Sequence, residues 1–327
     1  MPVISYIDAV KQALREEMER DNKVFVLGED VGVRGGVFRA TDGLYDQFGE
    51  DRVIDTPLAE SAIAGVGIGA AMYGMRPVAE MQFADFIMPA VNQIVSEAAK
   101  IRYRSNNDWS CPITIRAPYG GGVHGALYHS QSVEALFANV PGLKIVMPST
   151  PYDVKGLLKA AIRDEDPVLF FEHKRAYRLI KGEVPEDDYT LPIGKADVKR
   201  EGEDITVITY GLAVHFALQA AEKLEKDGYS AHVLDLRTVY PLDKEAIIEA
   251  AKKTGKVLLV TEDNKEGSII SEVSAIIGEH CLFDLDAPIQ RLAGPDVPSM
   301  PYAPTMEKHF MINPDKVEKA MRDLAEF

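Results

Sequence analysis

The chain has 327 residues, is 46% hydrophobic, and sets 51 acidic side chains against 36 Lys and Arg, for a formal net charge of −15 at pH 7. Such a length suggests two domains with ordinary apolar cores. The acidic balance argues against nucleic acid and anionic membranes as partners and favours a basic protein partner.

Met1-Pro2-Val3-Ile4-Ser5 has no signal-peptide character, and no apolar run approaches a membrane span. Cys111 and Cys281 lie far apart and fit no metal spacing, so a reducing, cytoplasmic setting is expected. Ser5 is a candidate cap for a helix to about Arg20, with Ile7, Val10, Leu14 and Met18 on one face. Residues 24–27 are continuously apolar, as a strand buried on both faces would be. They lead into Gly28-Glu29-Asp30-Val31-Gly32, and the Gly-rich stretch 31–36 reads as a mobile loop.

The most informative stretch is 52–71. Residues 52–55 read as a short strand, and Thr56-Pro57 as a helix start with Thr as cap and Pro in the first turn. Glu60 then falls where the helix dipole favours a carboxylate. The helix behind it carries Gly65, Gly67 and Gly69, and each Gly costs about 1 kcal/mol against Ala. Such a helix makes sense where another backbone packs close. Glu60 is either a helix-start charge or a placed functional group, and residue physics alone favours the first narrowly. The glycines nearly fit a dinucleotide fingerprint, but the first falls inside the helix rather than in the strand–helix turn.

Further along, strands are expected at 77–81, 112–116, 144–147 and 168–171, with helices at about 87–104 and 152–164. Strands alternating with helices imply a mainly parallel sheet, whose ligand sits beyond the carboxyl ends of the strands. The residues after Leu27, Asp55, Met81 and Arg116 would meet at that edge. The first domain is expected over 1–182, a linker rich in charge and proline over 183–203, and a second α/β domain over 204–327. That second domain has strands at 205–209, 231–234 and 257–260, helices at 213–226, 243–251 and 269–279, and a closing helix from Pro314.

Between 116 and 132 lie three consecutive glycines, Gly120-Gly121-Gly122, then His124 and Tyr128-His129-Ser130-Gln131-Ser132. Three glycines admit close backbone approach. A histidine before a helix can be oriented by its neighbours and suits proton transfer near neutrality, or can simply bond the helix cap. Ser130 lacks the surroundings of a nucleophile elbow, and His124 with His129 has no evident third metal ligand.

The order of Gly28-Glu29-Asp30-Val31, Asp55-Thr56-Pro57-Leu58-Ala59-Glu60, Gln82-Phe83-Ala84-Asp85-Phe86 and Tyr128-His129-Ser130-Gln131-Ser132 resembles one family. It is the beta subunit of the thiamine-diphosphate-dependent decarboxylase component of 2-oxo acid dehydrogenase complexes. The resemblance runs over nearly the whole chain, through Asp235-Leu236-Arg237-Thr238, and Gly125 to Ser132 resembles the branched-chain type. It implies a pyrimidine-binding, transketolase-like α/β domain followed by a transketolase C-terminal-type α/β domain.

The resemblance implies that Glu60 hydrogen-bonds N1′ of the cofactor's aminopyrimidine and favours its imino form, that Phe86 packs on the ring, and that Gln82 and Glu29 are polar neighbours. It implies that His129 contacts the substrate carboxylate or intermediate and helps transfer the acyl group to a lipoyl sulfur. No Gly-Asp-Gly occurs in the chain, so the magnesium and diphosphate site is expected on a separate alpha subunit, in an assembly of two alpha and two beta chains. A basic subunit-binding module of the lipoyl acyltransferase is the other implied partner. Family members also hold potassium, and the matching positions are Ile113, Ala161, Ile162, Asp164 and Asp166, the last standing where Asn is common. Pyruvate or acetoin siblings, or a non-catalytic scaffold, are the alternatives, and intact Glu60 and His129 speak against the scaffold.

Overall fold

The computed structural model describes residues Met1–Phe327. They form two compact units, Met1–Tyr119 with Leu136–Ile193, and Gly120–Ala135 with Gly194–Phe327. No helix is long and apolar enough to cross a membrane.

The first unit opens with β1 (Val3–Ser5) and α1 (Tyr6–Arg20), where Ser5 caps by accepting from the Asp8 amide. Then come β2 (Val24–Gly28), α2 (Leu44–Phe48), β3 (Val53–Asp55), α3 (Glu60–Met72) and β4 (Arg76–Glu80). Its sheet is parallel, and β2 lies between β3 and β4. The helix expected from Thr56 starts instead at Glu60. The Thr56 amide donates to the Gly28 carbonyl at 2.9 Å and prolongs the β2–β3 ladder. Pro57 keeps Thr56 out of the helical region, and the chain bends at Leu58 before the helix begins. Within α3, Gly67 is the glycine this chain's own packing requires, since a Cβ there would lie 2.8 Å from Ile113 Cδ1.

The helix expected over 87–104 is broken. Short 3₁₀ turns at Ala84–Phe86 and Met88–Ala90 lead to a π turn at Gln93–Glu97, another 3₁₀ turn at Ala98–Lys100, and α4 (Ile101–Arg104). Pro89 has no amide to donate, which disfavours a regular ladder there. At Ala99 the backbone of Gly142 approaches so closely that a Cβ on it would overlap the Ala99 carbonyl. Periodicity still places Ile94, Ala98 and Ile101 inward.

β5 (Thr114–Tyr119), α5 (Glu134–Ala138), β6 (Lys144–Val146), α6 (Pro151–Arg163) and β7 (Val168–His173) follow, with β5 between β4 and β7, and β6 beyond β7. α1 packs on α6, and Val10, Leu14 and Met18 of α1 and Val154 and Leu158 of α6 are all buried, each buried aliphatic group contributing about 1.5–3 kcal/mol. The stretch read as linker is preceded by α7 (Ala176–Leu179) and β8 (Lys181–Glu183), which pairs antiparallel with β1.

The second unit builds its sheet from β9 (Asp197–Arg200), β10 (Ile205–Thr209), β11 (Ala231–Asp235), then, past a short β12 (Thr238–Tyr240), β13 (Val257–Asn264) and β14 (Gln290–Gly294). The order is β14-β13-β10-β11-β9, parallel except for edge strand β9. α8 (Ala213–Glu225), α9 (Lys244–Thr254), α10 (Ile269–Cys281), α11 (Pro304–Phe310) and α12 (Pro314–Ala325) complete it. β9 was not foreseen because Asp197, Lys199 and Arg200 hold it by ion pairs rather than by an apolar pattern.

Candidate functional site

In the first unit, register aligns Gly28, Asp55 and Glu80, the last residues of three adjacent parallel strands, and sets Glu80 opposite Arg116 in the middle of β5. Glu29, Glu60, Gln82 and Phe86 follow those ends and are all half-buried. Asp55 Oδ1 accepts from the Gly32 amide at 2.6 Å, and Thr41 Oγ1 donates to the Val31 carbonyl at 2.7 Å, so the loop expected to be mobile is hydrogen-bonded in place. Burial, then the charges of Asp30 and Glu60, raise the proton affinity of Glu29, which places its carboxyl within electrostatic reach of Glu60. Glu60 is the first residue of α3, where the amide dipoles favour its charge.

The Phe86 ring meets Phe83 edge-on at 5.5 Å, and Phe83 meets Phe38 at 5.4 Å. Lys174 Nζ lies 5.5 Å from the Phe83 ring centre and 3.8 Å from the Asp85 carboxylate, whose side chain is almost wholly buried. Phe86 is thus held from behind by an aromatic and ionic cluster.

Beneath these groups lies a network that sequence reasoning missed. Arg116 is fully buried and donates to both Glu172 oxygens, at 2.6 and 2.7 Å, and to Glu80 Oε2 at 2.7 Å. The Tyr177 hydroxyl donates to Glu172 at 2.6 Å. Burial raises the proton affinity of Glu80, and Arg116 opposes that rise. The available signal was Glu80, Arg116 and Glu172, charged residues placed in three largely apolar strands.

His129 belongs to the second unit, because the glycine-rich segment Gly120–Ala135 groups with it. The Gly120 amide donates to the Gln131 carbonyl at 3.0 Å, and Gln131 Nε2 to the Leu127 carbonyl at 3.0 Å. Gly121 donates to Glu262 Oε1 at 2.5 Å, while Gly122 and His124 donate backbone N–H groups to Glu307. His129 closes a 3₁₀ turn over Ala126–Tyr128, in which Leu127 and Tyr128 are exposed. Ser130 is buried, and α5 begins at Glu134.

The half-exposed Glu60 carboxylate, the nearby Glu29 and the buttressed ring of Phe86 fit an aminopyrimidine, which needs a carboxyl partner at a ring nitrogen and an aromatic flank. At the potassium positions, the Ile113 carbonyl accepts from Val168, the Ala161 carbonyl from Asp164, and the Ile162 and Asp164 carbonyls from Arg76 Nη1, both at 3.0 Å. The Asp164 carboxylate takes Lys144 Nζ at 2.7 Å, and Asp166 takes Arg102 at 2.5 Å. This all-oxygen set suits a hard cation in kind, and each carbonyl keeps a second lone pair.

Residues 3–180 match the transketolase pyrimidine binding domain and residues 194–317 the transketolase C-terminal domain. The chain is 87% identical over 327 residues, all of both chains, to 2-oxoisovalerate dehydrogenase subunit beta of Bacillus subtilis (strain 168). It is 53% identical over 296 residues, 90% of this chain and 91% of the relative, to the pyruvate dehydrogenase E1 component subunit beta of the same organism. Among solved structures, a split-gene transketolase described as an inactive beta4 tetramer superposes with a TM-score of 0.80 at 24% identity, over 99% of this chain and 98% of that one. That last likeness concerns the fold.

Proposed function

The chain belongs to the family of 2-oxo acid dehydrogenase beta subunits, and from that premise we propose that it works with a separate alpha subunit in the oxidative decarboxylation of branched 2-oxo acids. The observation that carries the branched-chain reading is the 87% identity over the full length of both chains, against 53% for the pyruvate-named relative.

Thiamine diphosphate, shared with the alpha subunit, supplies a carbon nucleophile and an electron sink for loss of carbon dioxide when bound. This chain's part is to orient and to move protons. Glu60 holds a proton at the pyrimidine ring nitrogen. Glu29, whose proton affinity is raised by burial and by the charges of Asp30 and Glu60, adds a second carboxyl beside it. Phe86 flanks the ring and Gln82 adds a polar contact. In acyl transfer the dithiolane S–S bond of the lipoyl group breaks, one sulfur takes the acyl group and the other a proton. His129 delivers that proton.

The alpha subunit brings magnesium and the diphosphate site in an assembly of two alpha and two beta chains, and the carbonyls of Ile113, Ala161 and Ile162, with Asp164 and Asp166, accommodate potassium. The open face of α3, with Gly65, Gly69 and the exposed Val66, suits subunit packing. Asp284, which ends the turn that exposes Phe283, and Asp286, two residues on, suit a basic docking module of the acyltransferase. Charge reversal at both acids should weaken that docking, and unchanged docking would place the contact elsewhere.

The decisive experiment reconstitutes both chains with the acyltransferase and compares kcat/KM for 2-oxoisovalerate and pyruvate. Two extra buried methylenes at about 0.8 kcal/mol each give roughly tenfold preference for the branched acid. A preference for pyruvate would move the chain to the sibling branch.

A further inference from the structure

Glu307, the fourth residue of α11, is only 4% exposed, yet both its oxygens are spent on one loop. Oε1 accepts from the Gly122 amide at 3.2 Å and the His124 amide at 3.1 Å, and Oε2 lies 2.6 Å from His124 Nδ1. A carboxylate this buried is expensive unless paired, and here its partners are two backbone amides and one imidazole.

The loop needs holding. His124 sits at φ 57° and Ala126 at φ 54°, left-handed conformations that cost a non-glycine residue about 1–2 kcal/mol each. On the other side of the glycines, Glu262 from β13 takes the Gly121 amide at 2.5 Å, and Met300 leaves no room for a side chain at Gly121. α11 is itself anchored by the buried cluster of Met300, Phe310 and Met311, and by Lys316 Nζ on the Met311 carbonyl at 2.8 Å. Immediately after His124, the turn closes on His129. A Cβ at Gly125 would lie 2.6 Å from His129 Cβ and 2.7 Å from its carbonyl oxygen. The placement of residues 124 and 125 therefore dictates where the His129 backbone lies.

We infer that Glu307 is a positioning residue for His129, acting through His124 and the turn at Gly125. The inference rests on the reading of His129 as the proton donor of acyl transfer. Glu307 itself touches neither substrate nor cofactor in this scheme. Its work is to fix a strained loop so that the histidine is presented in one orientation.

The test uses the holoenzyme reconstituted from both chains and the lipoyl acyltransferase, followed by two assays, acyl transfer and decarboxylation with an artificial oxidant. Glu307→Ala should lower acyl transfer about tenfold more than decarboxylation, because small misplacements of a catalytic group are costly. Glu307→Gln should recover most of that loss, since an amide oxygen still accepts from the Gly122 and His124 amides. In a His129→Ala background, Glu307→Ala should add less than about twofold, the signature of two residues acting in series. Equal losses in both assays, or full additivity with His129→Ala, would reduce Glu307 to a structural role and overturn the inference. Should Glu307→Ala fail to fold, Glu307→Asp, whose shorter side chain draws the carboxylate away from the Gly122 and His124 amides, must shift the same ratio, and an unshifted ratio overturns the inference equally. If His129→Ala alone leaves the ratio unchanged, it is the His129 reading that fails; if His129→Ala shifts it and Glu307→Ala, or Glu307→Asp in its place, does not, the positioning role fails.

Discussion

Asp55 Oδ1 accepts the Gly32 amide at 2.6 Å, so the last residue of β3 fastens the loop that leaves β2. The contact ties the segment carrying Glu29 to the strand that leads to Glu60. A Cβ on Gly32 would lie 2.5 Å from Asp55 Oδ2, closer than such atoms pack. Gly32→Ala must push the loop and the carboxylate apart. The expected result is about tenfold weaker thiamine diphosphate binding to the reconstituted enzyme, equivalent to about 1.4 kcal/mol. Asp55→Asn keeps an acceptor and should cost less. Titration of the cofactor into each assembled variant decides it, and an unchanged Kd for Gly32→Ala would mean the tie does not orient Glu29.

Glu60→Gln should leave the assembly intact while slowing proton exchange at the cofactor's reactive carbon by about 100-fold or more, as loss of one well-placed polar group does. Hydrogen–deuterium exchange in quench-flow is the direct readout. A wild-type rate would return Glu60 to an ordinary helix-start charge.

The fold and half of the candidate site are written locally in the chain. β2 is apolar from Val24 to Leu27, as a strand buried on both faces often is, and fully buried β10 adds only Thr206 and Thr209 to its Ile and Val residues. Glu60 stands out as a carboxylate before a glycine-laden helix, but residue physics alone favours a helix-start charge, and its proposed role comes from the family resemblance. The Arg116–Glu172–Glu80 network was not, because its members are 36 and 56 residues apart and only strand register brings them together. The same holds for Glu307, which is 183 residues from His124 in the chain. The helix expected at Thr56 starts at Glu60 instead: the Thr56 hydroxyl accepts from no helix amide, while its own amide extends the ladder to Gly28.

Arg116→Met should destabilise the first unit severely. It leaves Glu172, wholly buried, and Glu80, 5% exposed, without their cation, and breaking such a buried pair costs about 3–5 kcal/mol. Replacing all three charges by apolar or amide groups of similar volume should recover much of that loss. Urea midpoints of the single and triple variants measure both. A single variant as stable as wild type would show that the two acids become protonated at little cost.

Glu134 sets a pH dependence in the second unit. It is 1% exposed; its Oε1 accepts from the Tyr210 hydroxyl at 2.8 Å, and its Oε2 is buried without a hydrogen-bond partner. Burial first, and the charge of Asp263 second, push its carboxyl up to about 8, while burial pushes Asp263 up to about 6. A carboxyl whose folded value is raised binds its proton more tightly in the folded state. Between its ordinary value of 4.5 and about 8, the folded chain therefore holds more protons than the unfolded one, and stability falls as pH rises through that window. At about 1.4 kcal/mol per unit the effect is on the order of a few kcal/mol. Glu134→Gln removes the titrating group while keeping an acceptor for Tyr210. Its urea midpoint should match wild type near pH 5 and exceed it near pH 8, with a flatter profile between. If the two profiles run parallel, Glu134 is ionised in the folded chain and its second oxygen has found a cation or water to hold it.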